Sequence, residues 1–142
     1  MRTLTVFLFA VLGGCAAAPP AFQPVASSMD LMHAMIVPAS DALFAAGDQE
    51  PQTAEDWAKL RNQGLILVET GNLLMMEGRA RDKDQWMQDT RKQMDAGQLA
   101  LQAIAAKDLD KLLGDVGTAI VDSCQNCHLH YMKPADLRSG PK

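Results

Sequence analysis

Apolar residues return every three to four positions through four stretches of the chain, the spacing of one buried helical face. The first stretch, about 28–46, carries Met29, Met32, Met35/Ile36, Ala39, Leu43 and Ala46. It opens at Ser27 with Asp30 three residues on, and it exits at Gly47. Pro38 falls inside it and predicts a kink or a break, because proline cannot donate to the carbonyl of Ala34. The second stretch, about 54–77, starts at Thr53 with Glu55 and Asp56 in its first turn and repeats Leu60, Gly64, Leu67, Gly71 and Leu74. A glycine inside a helix costs about 1 kcal/mol relative to alanine, so two on one stripe predict close approach by a neighbouring helix or a flat ligand. The third stretch runs from an Asp82/Gln85 capping pair to about Ala106, through Met87, Thr90, Met94, Gly97, Leu101 and Ile104. The fourth, capped by Asp108, places Leu109, Leu112/Leu113, Val116, Ile120, Cys124, Cys127 and Tyr131 on one face without a phase break.

Four amphipathic helices joined by short connectors predict an all-α fold, an antiparallel up-down-up-down four-helix bundle. No segment alternates as a strand would, and no repeat is present. Composition agrees: aromatic residues are 5% of the chain, while nine Met and many Ala and Leu carry the apolar load. At 142 residues the chain is one domain's worth, placed at 28–134, with a flexible basic tail over 135–142. The net charge of −4 argues against a nucleic-acid partner.

Residues 1–14 hold Arg2 and then an apolar run from Leu4 to Leu12, too short to span a bilayer and suited to a signal peptide. The run Leu12-Gly13-Gly14-Cys15 resembles a bacterial lipobox, which implies lipidation of Cys15 as the mature N-terminus. Residues 15–27, with Pro19, Pro20 and Pro24, then read as a semi-rigid tether. The expected location is the periplasm, lipid-anchored to a membrane, the outer in preference to the inner. Three cysteines leave an odd thiol in an oxidising compartment, and lipidation of Cys15 leaves the other two as a pair.

That pair belongs to Cys124-Gln125-Asn126-Cys127-His128, a C-x-x-C-H run. On a helix, residues at i, i+3 and i+4 share a face. Two thiols so placed can each add to one vinyl group of a single porphyrin, with the next imidazole on the iron. The expected cofactor is therefore one covalent haem c, with thioethers at Cys124 and Cys127 and His128 as the proximal ligand. Antiparallel packing would bring the end of the fourth helix beside the start of the first, the end of the second and the start of the third. Met29, Met32, Met35, Met75, Met76, Met87 and Met132 all fall at that end. Register ranks Met32 first as the distal iron ligand, with Met35 and Met29 behind it; His33 is the competing imidazole. Met35 and Tyr131 are expected in the pocket wall, and Arg79, Arg81 and Lys133 are candidates to pair with propionates. His130 lies about 200° round the helix from His128 and reads as a surface residue.

The mature domain resembles the class II c-type cytochromes, the cytochrome c prime-like four-helix bundles with C-x-x-C-H on the last helix. The resemblance is carried by Cys124 to His128 with Tyr131 three beyond, and by the first-helix run from Leu31 to Asp41. It implies thioethers at both cysteines, proximal ligation by His128, a distal residue from the first helix, and single-electron transfer with periplasmic or membrane redox proteins. Residue 132 departs from the pattern, being Met where a basic residue is usual. The alternative function is a five-coordinate haem protein that binds small gases such as NO or CO. A third reading has Cys124, Cys127 and His128 in a zinc site or a disulfide. A homodimer is compatible with such bundles. No nucleophile elbow, phosphate loop or paired-His metal motif is present, so enzymatic catalysis is not expected.

Overall fold

The structure, a computed structural model, describes residues 22–132. The expected signal peptide, Cys15 and its lipid, most of the tether's first half, Lys133 and the basic tail lie outside the described residues. Those residues are helical with no strand among them, and four helices pack against one another.

Helix α1 (28–47) begins as Ser28–Leu31, capped at Ser27. The Ser27 hydroxyl accepts from the Asp30 amide at 3.1 Å while the Ser27 amide donates to the Asp30 carboxylate at 2.8 Å. The Ser27 hydroxyl, which also donates to that carboxylate at 2.6 Å, and then the Ser27 amide hold the Asp30 carboxyl below the usual aspartate value. Just before Pro38, where a kink or a break is expected, the chain takes a π turn over Met32–Ile36, with the Val37 amide donating to the carbonyl of Met32. The wider turn accommodates a proline ring that a regular helix would press against a carbonyl one turn back. Regular helix resumes over Val37–Phe44 and closes in a 3-10 turn, Ala45–Gly47.

Helix α2 (Ala54–Leu74) has the same reciprocal cap at Thr53 and Asp56. It stops three residues short of the expected end. Arg79 explains the stop: its Nη1 donates to the carbonyl of Leu73 at 2.8 Å and its Nε to that of Ala26 at 2.8 Å. Helix α3 (Gln85–Ala106) is not capped by the expected Asp82/Gln85 pair. Asp84 occupies the cap position, while the Asp82 carboxylate accepts from the amides of Asp84 and Trp86, both at 2.9 Å. After Lys107, in the left-handed region at φ 54°, Asp108 caps helix α4 (109–131) by accepting from the Lys111 amide. A second π turn, Leu112–Val116, interrupts α4 where a continuous phase was expected. It buries Leu112 and Val116 and turns Leu113 outward.

The core joins Leu31, Ile36, Ala39 and Leu43 of α1 to Leu67 and Leu74 of α2, to Trp86 and a run of alanines on α3, and to Val116 and Ile120 of α4. Contacts between α2 and α3 descend on one helix as they rise on the other. Gly64 faces Leu101, Gly97 faces Leu67 and Val68, Gln93 donates to the Leu67 carbonyl at 3.0 Å, and Trp86 Nε1 donates to the Leu74 carbonyl at 2.9 Å. The glycines on the α2 and α3 stripes thus serve a close helix crossing. A Cβ at Gly97 would lie 2.9 Å from Val68 Cγ2 and 3.1 Å from both Leu67 Cβ and the Val68 backbone nitrogen, and little of that can yield. Gly97→Ala is therefore expected to destabilise: an overpacking cost of about 1–3 kcal/mol outweighs a helix-propensity gain of about 1 kcal/mol. Gly114, with nothing within 4 Å of a built Cβ, supplies the contrast, and Gly114→Ala should stabilise by about 0.5–1 kcal/mol. Urea midpoints of the two variants should move in opposite directions; a stabilised Gly97→Ala would contradict the close crossing.

Candidate functional site

Helix α4 carries Cys124, Cys127 and His128 into the lining of a narrow cleft. Its lining includes Met32 and Ile36 from α1, Leu74 from α2, and Asp89, Thr90 and Gln93 from α3, with Ser123 beside the cysteines. The three motif residues and Met32 are each half-buried. Met32 opens the π turn of α1, so the irregular segment of that helix is the one that meets the motif.

Of the other distal candidates, Met29 and His33 are exposed, and Met35 is half-buried against the core. Of the remaining methionines expected at this end, Met76 accepts from Arg79 Nη1 at 3.3 Å, and Met87 packs against the core. Arg79, a candidate propionate partner, is occupied by the Leu73 and Ala26 carbonyls. Arg81 lies over the Trp86 ring, 6.0 Å from its centroid.

Both cysteines are free thiols. Burial pushes the Cys124 thiol above its ordinary value, a hydrogen bond with Ser123 opposing it. Burial, and then the nearby Asp89 carboxylate, push Cys127 up to about 11. Two sulfurs that line one cleft, followed by an imidazole that lines it too, fit covalent attachment of a flat prosthetic group. Among the described residues no cluster of three or more His, Cys, Asp or Glu is arranged to hold a metal ion. A further fit comes from Thr90, whose Oγ1 is buried in the cleft wall with no hydrogen-bond partner. An orphaned buried hydroxyl marks a place where a partner outside the chain would be satisfied.

The last turn of α4 is tied down by two carboxylates, Asp89 on α3 and Asp82 in the connector before it. Tyr131 Oη donates to Asp82, and the Tyr131 ring meets Trp86 edge to face with centroids 5.0 Å apart. Desolvation and that hydrogen bond push the tyrosine hydroxyl up to about 12. His130, read as a surface residue, places Nδ1 2.7 Å from Asp89 Oδ2, although 45% of its side chain is exposed. Sequence reasoning missed Asp89, Gln93 and Ser123 as lining residues because none continues an apolar period.

No helix among the described residues is long and apolar enough to cross a membrane. Comparison with protein-family models, with curated proteins and with solved structures gives no match to this chain.

Proposed function

We propose that this chain is a periplasmic, lipid-anchored c-type haem protein that carries single electrons, built as an antiparallel up-down-up-down bundle like the class II cytochromes. The observation that carries the reading is the convergence of Cys124, Cys127, His128 and Met32 on one cleft. In this reading Cys124 and Cys127 hold one haem c, His128 is the proximal iron ligand, Met32 is the distal ligand, and Met35 and Tyr131 belong to the pocket.

When bound, the haem supplies an iron that cycles between ferric and ferrous states. Attachment needs only addition of each thiol S–H across a vinyl C=C: one C–S bond forms, the hydrogen passes to the adjacent carbon, and no oxidant is consumed. Burial raises both thiols above their ordinary values and so lowers the thiolate fraction that disulfide exchange needs. Ile36 and Leu74 give the cleft apolar walls that limit water at the iron. The soft thioether of Met32 would favour ferrous iron and a higher potential than a second imidazole would give. Cys15, once acylated, would hold the domain near membrane-bound redox partners and raise their effective concentration.

Full-length protein matured in the periplasm is expected to keep its haem through acid-acetone extraction; a colourless apoprotein would sink the reading. Met32→Ala should remove the ferric Met-to-iron charge-transfer band and let the ferrous form bind carbon monoxide. An unchanged band in that variant would take Met32 off the iron. Carbon monoxide uptake by the unaltered protein would favour the gas-binding alternative.

A further inference from the structure

Asp89 is 1% exposed and lies in the wall of the cleft. Its Oδ1 accepts from Gln85 Nε2 at 3.0 Å and stands 3.7 Å from Lys92 Nζ, and its Oδ2 takes the hydrogen bond from His130. Every donor around it suits a carboxylate anion: an amide, an ammonium and an imidazole N–H. Burying such a charge is costly, and an apolar residue of similar volume would serve a plain helix contact as well or better. Its field already reaches the attachment site, because it is one cause of the raised Cys127 thiol. The remaining polar residues of the α3 wall, Thr90 and Gln93, are uncharged, so Asp89 is the one fixed negative charge in the lining of that cleft.

We propose that Asp89 sets the reduction potential of the cleft's haem, its buried negative charge stabilising ferric over ferrous iron. This rests on the haem reading above. Ferric iron carries one more positive charge than ferrous, so an anion fixed in the wall favours the oxidised form by direct Coulomb attraction. A poorly solvated wall screens that attraction far less than water does. Gln85, Lys92 and His130 hold the carboxylate in place, and His130 ties it to the same helical turn that carries His128. Asp89 would act against Met32, whose thioether as iron ligand would raise the potential, and both residues line the same cleft.

The test is the midpoint potential of the haem-loaded full chain. Asp89→Asn, nearly isosteric, should raise it by an amount equal to roughly a tenfold change in the ferrous-to-ferric ratio, about 59 mV for one electron. The ferric spectrum should keep its axial-ligand bands, and the rise should persist in 1 M salt. Asp95→Asn, which removes an exposed charge from the same helix, should shift the potential far less and only at low salt. If Asp89→Asn alone does not fold, Asp89→Asn with His130→Gln leaves a neutral polar pair and carries the same expectation. An unmoved potential in a folded, haem-loaded variant overturns the assignment. A potential that moves together with loss of the axial-ligand bands also overturns it, making Asp89 a positioning residue for α4. A colourless unaltered protein would overturn the haem reading itself, so the two failures are distinguishable.

Discussion

With Cys124 and Cys127 both replaced by serine, protein exported and matured alongside haem is expected to retain none of it through acid-acetone extraction. Each single replacement should retain haem through one bond. The expectation follows from atom counting at the cleft: two vinyl groups, two half-buried free thiols on one helical face, and no third cysteine among the described residues. Each thioether saturates one vinyl group and shortens the conjugated system. The visible bands of the pyridine complex should therefore move to shorter wavelength in two steps, from no thioether to one to two. Far-ultraviolet circular dichroism separates loss of attachment from loss of fold, since serine is close in size to cysteine and both positions are only half-buried. Extraction-resistant pigment in the double variant would place attachment elsewhere in the chain.

Trp86→Ala should be the most damaging single truncation in the bundle, by about 3–5 kcal/mol from lost burial and the cavity left behind. That is a large part of the roughly 5–15 kcal/mol that holds a domain together. The Trp86 ring is 3% exposed, donates to the Leu74 carbonyl at the end of α2, and supports Tyr131 at the end of α4. It therefore joins three helices at the cleft's end of the molecule. Trp86→Phe keeps most of the packing but leaves the Leu74 carbonyl without its donor, and should cost less, about 1–3 kcal/mol. Equilibrium urea unfolding of the apoprotein reads both values; an alanine variant within about 1 kcal/mol of the parent would contradict this central role, given the usual cost of aromatic truncation in a core.

The four helices were legible because each has a local cause. Reciprocal caps at Ser27/Asp30 and Thr53/Asp56, and the three-four recurrence of apolar residues, need no knowledge of neighbours. What escaped reading was set by tertiary contacts. The early end of α2 depends on an arginine that reaches both Leu73 and Ala26, the latter 53 residues away in sequence. The start of α3 depends on Asp82, whose carboxylate serves two backbone amides and Tyr131 at once. Cys124 and Cys127 could be read as facing inward because they keep the three-four spacing from Ile120 beyond the π turn, and the ranking of Met32 came from the register of the first helix. Asp89 and His130 could not, because a hydrogen bond between polar side chains on two helices leaves no periodic trace: each residue looks solvated until its partner is known.

The π turns of α1 and α4 also change how this chain can be compared and edited. Each holds one more residue than an α-helical turn would, so a seven-residue bookkeeping of buried positions slips by one place on crossing either. An alignment of this chain to a bundle with unbroken helices would need a one-residue gap inside Met32–Ile36 and another inside Leu112–Val116. Without those gaps, a bundle residue equivalent to Met32 or Leu112 would be paired with its neighbour, and residues that face the core would be scored as facing water. Deleting one residue from the α1 turn would restore a regular α-helical turn there, so Ser28–Leu31 would keep the face they now present. Leu31, now 5% exposed, would stay in the core.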